Sequence, residues 1–151
     1  MTNRGLMSNR PSSLLHRCTW CVVILLLGFC LTSCRSTNNP SKLPFGFLDT
    51  PVGGQPIQGK ARVSGWAISE DGIQSVEVYV NRDFVGRATI GEARPDVARV
   101  YPNLTGSGSS GWSLTLDASL LPEGKRELTV QTRSKRGAYR DLASIPITII
   151  H

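Results

Sequence analysis

The chain has 151 residues, with 17 Lys and Arg, 11 Asp and Glu, two His and four Cys, and a formal net charge of +6. The His stand at 16 and 151 and the Cys at 18, 21, 30 and 34, so residues 35–150 hold neither a thiol nor an imidazole. That excludes Ser-His and Cys-His nucleophilic systems and His-based zinc sites from most of the chain. From position 34 onward 14 basic residues face 11 acidic ones, a surplus of +3 that is too dilute for a nucleic-acid face.

Arg4, Arg10 and Arg17 precede an uncharged run of 12 residues, 20–31. The run is well short of the ~20 residues that a helix needs to cross a bilayer. A basic start, a short apolar stretch and small residues before a cut describe a secretory signal. Leu31-Thr32-Ser33-Cys34 resembles the lipobox of bacterial lipoproteins. The resemblance implies cleavage before Cys34, a diacylglycerol on its sulfur, and acylation of the new amine. Arg35 follows, where Asp would imply retention at the inner membrane, so the outer membrane is expected if the organism has one. An ordinary secretory signal and an uncleaved anchor are the alternatives. Cys18-Thr19-Trp20-Cys21 has redox or zinc spacing, but it lies in the segment to be removed. No disulfide is expected after cleavage, since only Cys34 remains.

Residues 34–44 are polar and broken by Pro40 and Pro44, and read as a lipidated Cys with a flexible tether. The organisation is thus a signal-peptide helix over 1–33, a tether over 34–44 and one domain over 45–151. Period-two alternation dominates the domain. Strands are expected over 45–49 and 60–68, the second with a bulge near Gly65. Val76, Val78 and Val80 alternate with Glu77 and Tyr79, and Asn81-Arg82-Asp83 turns the chain into a strand over 84–90. Residues 91–111 form a long connection, longer than compact domains usually carry. Within it Asp96 is expected to cap a helical turn whose Val97, Val100 and Tyr101 face the domain. Gly and Ser residues over 105–111 read as a flexible run. Trp112, Leu114 and Leu116 head the next strand, Leu128 and Val130 another, and Ile145, Ile147 and Ile149 the last. Pro146 requires that strand to lie at an edge or to present that position outward. About seven short strands joined by antiparallel-length turns describe an all-β, antiparallel sandwich.

Gly65-Trp66-Ala67, Gly72 to Val80, Val85-Gly86-Arg87-Ala88 and Leu121-Pro122-Glu123-Gly124 before Leu128-Thr129-Val130 resemble a bacterial Ig-like module. The resemblance implies the sandwich fold and leaves function open, because this fold hosts adhesion, carbohydrate binding and spacing alike. Arg94-Pro95-Asp96-Val97 with Tyr101-Pro102 resembles a loop recurring in one subgroup. The antibody-type Cys and Trp core is missing.

Strand alternation places the 69–75, 91–111 and 132–144 connections at one pole, and the 50–59, 81–83 and 121–124 connections at the other. The first pole is the candidate binding end, with Arg94, Asp96, Tyr101, Arg133, Lys135, Arg136, Tyr139 and Arg140 as candidate residues. The competing reading makes the long loop a structural cover and the charged hairpin a solvated tip. Trp66 and Trp112 are both expected in the core, and Tyr79 and Tyr139 on the surface. The expected function is an envelope-anchored, non-catalytic interaction or adhesion module. Its membrane contact runs through the lipid on Cys34, and its partner is an envelope protein or glycan. A membrane-tethered carbohydrate-binding module is the alternative, and a small hydrolase needing two facing carboxylates is a remote one. No cofactor, metal or nucleic acid is expected.

Overall fold

The computed structural model describes residues 42–151. The expected signal peptide over 1–33, the expected lipidation of Cys34 and most of the expected tether lie outside the described residues.

Nine strands build the domain: β1 (Phe45–Thr50), β2 (Pro56–Gln58), β3 (Lys60–Ile68), β4 (Ile73–Val80), β5 (Asp83–Arg87), β6 (Thr89–Glu92), β7 (Gly111–Asp117), β8 (Gly124–Ser134) and β9 (Tyr139–Ile150). A first sheet has the order β1-β3-β7-β6 and a second the order β2-β9-β8-β4-β5. The all-β sandwich read from alternation is therefore the observed fold. Alternating positions of both sheets meet between them. Leu48, Val63, Ala67, Trp112 and Leu116 come from the first sheet, and Val76, Val78, Val80, Leu128, Val130, Ile147 and Ile149 from the second. Each is buried.

Two strands went unforeseen. The stretch expected as one strand over 84–90 is two, because the chain changes sheets at Ala88. Ala88 is buried and donates its N–H to the Val76 carbonyl at 2.9 Å, while β5 pairs with β4 and β6 with β7. This crossing closes one side of the sandwich. The second is β2, three residues long and parallel to the end of β9. It carries one buried side chain, Ile57, too little for a periodicity to register.

The bulge expected at Gly65 is displaced. β3 pairs with β7 without interruption from Lys60 to Trp66, and the irregularity lies in β1 between Leu48 and Thr50, where Asp49 is the extra residue. Gly65 serves packing instead. A Cβ there would stand 2.1 Å from the Phe47 carbonyl oxygen and 2.8 Å from Trp112 Cζ2. Only a residue without a side chain lets the Trp112 indole lie against β3.

Pro146 meets its constraint on the outward side. Its side chain is exposed, and its carbonyl accepts the Gly54 N–H at 2.7 Å on the side away from β8. Its missing donor therefore costs the β8–β9 ladder nothing.

Candidate functional site

The three connections expected at one pole converge there. The turn after β3 is held by Ser69, whose carbonyl accepts the Gly72 N–H at 2.9 Å and whose hydroxyl accepts the Asp71 N–H at 3.2 Å. Gly72 has φ +75°, and its carbonyl accepts the Lys135 N–H at 3.0 Å, which ties this turn to the β8–β9 tip. The long connection is stitched to the same end, since the Ser110 carbonyl accepts the Ala67 N–H at 2.9 Å. Between these pieces the sandwich opens into a cleft of about 260 Å³. Its floor is apolar, from Ile68, Ile73, Val76, Ile90 and Trp112, and its rim carries Ser69, Thr105, Ser109 and Lys135. Trp112 is 1% exposed, and its Nε1–H has no acceptor among the described residues.

The 93–110 segment carries a short helix and a 3₁₀ turn. Helix α1 (Pro95–Val100) begins with Pro95, whose fixed φ suits a first helical position. Arg94 is the N-cap residue and makes no side-chain cap, so the capping role expected of Asp96 is not observed. Asp96 stands instead in the first turn, where the helix dipole favours an anion. It also receives a two-point bond from Arg94, Nε to Oδ1 at 2.9 Å and Nη2 to Oδ2 at 2.7 Å. This bond holds the Asp96 carboxyl down at about 2. The same two bonds, and a third from Nη1 to Asp49 Oδ2 at 2.6 Å, raise the Arg94 pKa above its ordinary value.

Val97 is buried under the helix, but Val100 is 68% exposed, contrary to expectation. A six-residue helix makes less than two turns and presents only one narrow face. The Gly and Ser run expected to be flexible contains a 3₁₀ turn, Ser107–Ser109, with Ser107 and Ser110 buried. The Ser110 hydroxyl donates to the Ser107 carbonyl at 2.7 Å, and the Gly108 carbonyl accepts the Arg94 N–H at 2.8 Å.

Trp66 is not a core residue. Its strand places Val63, Gly65 and Ala67 inward, so Trp66 points to the outer face of the first sheet and is half-buried. There it meets Phe45 at 6.0 Å and Tyr101 at 5.7 Å between ring centroids, and Phe45 meets Tyr101 at 5.4 Å. These rings are inclined 43–87° to one another. They pin the long segment to the sheet and do not form one flat platform.

The structure therefore divides the sequence-predicted residues. Arg94, Asp96 and Tyr101 hold the long segment on the first sheet. Lys135 and Arg136 stand at the β8–β9 tip, Lys135 over Gly72 and Arg136 with its Nε 3.3 Å from Asp71 Oδ1. Arg133 lies over the ring of Tyr139 at 5.9 Å, its cross-strand partner, and Arg140 pairs across the ladder with Thr132. Tyr139 is 61% exposed, as expected. Tyr79 is only half-buried toward solvent, against Phe84 at 5.7 Å. Its hydroxyl donates to Glu77 Oε2 at 2.9 Å, which lowers the Glu77 pKa and raises its own.

Sequence reasoning missed Asp49, Phe45 and Lys42. Each touches a residue far along the chain, and no local pattern announces such a partner. Ile90 was legible as the end of the strand over 84–90 and Ser109 as part of the long connection, but the place of Ile90 at a cleft depends on the sheet crossing at Ala88.

The comparisons with known proteins agree with this architecture. Among curated proteins no sequence matches. Among solved structures, the endo-β-1,4-mannanase from Thermotoga petrophila is similar, at 15% identity and a TM-score of 0.51, over 76% of this chain and 21% of that one. Fibronectin(III)-like modules of Clostridium thermocellum CbhA align at 16% identity and a TM-score of 0.48, over 71% of this chain and 46% of that one. The present chain thus spans about a fifth of the mannanase, and at such identity the likeness concerns the fold alone. A family model for the bacterial Ig domain matches residues 44–130, more than half of the chain. Two sheets in this order, one module and that match lead to a single conclusion: the chain belongs to the bacterial Ig domain family.

Proposed function

We propose that the protein is a lipid-anchored, non-catalytic Ig-like module of the bacterial envelope that presents its tether-side pole to an envelope protein or glycan. The observation that carries the reading is convergence. The turn after β3, the long connection and the β8–β9 tip surround one open cleft with an apolar floor and a hydroxyl-bearing rim. Loops gathered at one end of a sandwich are where such folds bind, because the sheets hold them rigidly while leaving their composition free. Anchoring draws on Leu31-Thr32-Ser33-Cys34 behind its short apolar run.

A photo-crosslinking residue in place of Ser109 or Ile90, in the full chain in cells, tests the site. The same residue at Glu123, at the opposite pole, serves as comparison. Adducts from the cleft positions alone support the reading. Adducts from Glu123 alone reject this choice of pole.

The carbohydrate-binding alternative draws on Phe47, 61% exposed and paired across the strands with Trp66. Phe45 and Tyr101 engage Trp66, so Phe47 is the open ring of that face. A single ring is a small platform, and the first reading is preferred. Retardation by soluble mannan that disappears in Phe47→Ala would reverse the preference.

A further inference from the structure

The place where the tether joins the domain and the tip of the last hairpin share one turn. Lys42 donates its main-chain N–H to Asp71 Oδ2 at 3.2 Å and its ammonium to both Glu70 oxygens at 2.6 Å. The other Asp71 oxygen lies 3.3 Å from Arg136 Nε. Seven residues, 35–41, separate Lys42 from Cys34. Fully extended, the path from Cys34 to Lys42 reaches about 27 Å. A lipid on Cys34 therefore keeps this end of the domain within that distance of the bilayer.

The surface there suits such a neighbour. Arg133, Lys135, Arg136 and Arg140 are all exposed, and the carboxylates of Glu70, Asp71 and Asp141 belong to the same end of the domain. Glu70 is taken up by Lys42 and Asp71 by Arg136, while Asp141 accepts from the Gln131 amide at 2.9 Å. Among the described residues Lys135 and Arg140 have no carboxylate partner. Tyr139, under the Arg133 guanidinium, is 61% exposed, and Leu43, next to Lys42, is 60% exposed, an amphipathic ring and an apolar side chain of the kind that settles at headgroup level.

We propose that this end docks on an anionic lipid surface, with Lys135 and Arg140 against headgroup phosphates and Tyr139 and Leu43 at the interface. The setting rests on the anchoring reading, but the chemistry does not. Tethering sets a local concentration near millimolar, so even a weak contact would orient the domain.

The sheets and core lie within residues 45–150, so the unlipidated 35–151 fragment is expected to fold on its own and is the material for the test. It is sedimented at low ionic strength with vesicles of phosphatidylcholine alone, or of equimolar phosphatidylcholine and phosphatidylglycerol. Binding to the anionic vesicles only is expected, with release by salt. Lys135→Gln and Arg140→Gln should each weaken it roughly five-fold. Arg82→Gln with Lys125→Gln, at the opposite pole, should leave it within two-fold. Circular dichroism of each variant checks that the fold is kept. Equal losses from both poles, no binding to anionic vesicles, or capture by a soluble anionic polysaccharide without vesicle binding would each overturn the proposal. None of these outcomes bears on Cys34, whose processing is read separately in cells.

Discussion

Arg94 Nη1 lies 2.6 Å from Asp49 Oδ2 and joins the long segment to the extra residue of the β1 bulge. Two irregular pieces of chain, 45 residues apart, thereby fix one another. Arg94 is mostly buried, with 20% of its side chain exposed, which makes the link stronger than an ordinary surface pair. Arg94→Ala should cost about 1 kcal/mol of stability. Faster amide hydrogen exchange over 93–110, with the strands unchanged, is the local signature to measure.

Acid should loosen the same link. Asp96 has its pKa lowered from the ordinary 3.8 to about 2 by the Arg94 bonds. A depressed folded-state value means that its contribution is complete above the unfolded value and fades as pH falls toward the folded one. The stability gap between the native chain and Asp96→Asn should thus be constant near neutrality and narrow between pH 4 and pH 2. Urea titrations at several pH values would check this.

The two tryptophans should answer differently to truncation. Trp112→Ala removes a fully buried indole and should cost ~3–5 kcal/mol. Trp66→Ala should cost less, about 1–2 kcal/mol, because Trp66 lies half-buried on an outer face. Trp112→Phe keeps much of the packing and deletes an N–H without an acceptor, so it should be far milder than Trp112→Ala. Chemical denaturation of the three variants would order them.

Gly65→Ala should be among the most damaging single changes. Its Cβ would overlap the Phe47 carbonyl oxygen and press on Trp112. A loss of about 3 kcal/mol or more is expected, since the nearest obstacle is backbone and cannot rotate away. Gly53→Ala, whose Cβ would meet only Pro146 Cδ at 3.9 Å, should leave the melting temperature near that of the native chain. Arg82→Gly should act in the other direction. Arg82 has φ +74° in the β4–β5 turn, a conformation that favours glycine, and relief of that strain should add about 0.5–1 kcal/mol.

Processing at Cys34 has its own test. Cys34→Ala should leave uncleaved or mislocalised precursor, visible as a larger band on fractionation. Cleavage before position 34 at the normal rate, with undiminished membrane association, would reject the lipobox reading.

The two sheets were legible because half-buried strands impose period two on side chains. Val76, Val78 and Val80, and Ile145, Ile147 and Ile149, carry that period whatever their neighbours are. The pole shared by three connections followed from strand direction alone. Tertiary structure decided which partners cover these residues, since those partners are distant in sequence. Trp66 takes the outer face by the alternation of Val63, Gly65 and Ala67, but its cover there comes from Phe45 and Tyr101, and Arg94 binds Asp49 as well as Asp96 because the β1 bulge brings Asp49 to it. Alternation assigns a residue to a face of its strand. Which face is covered, and by what, is set by long-range packing that no local period records.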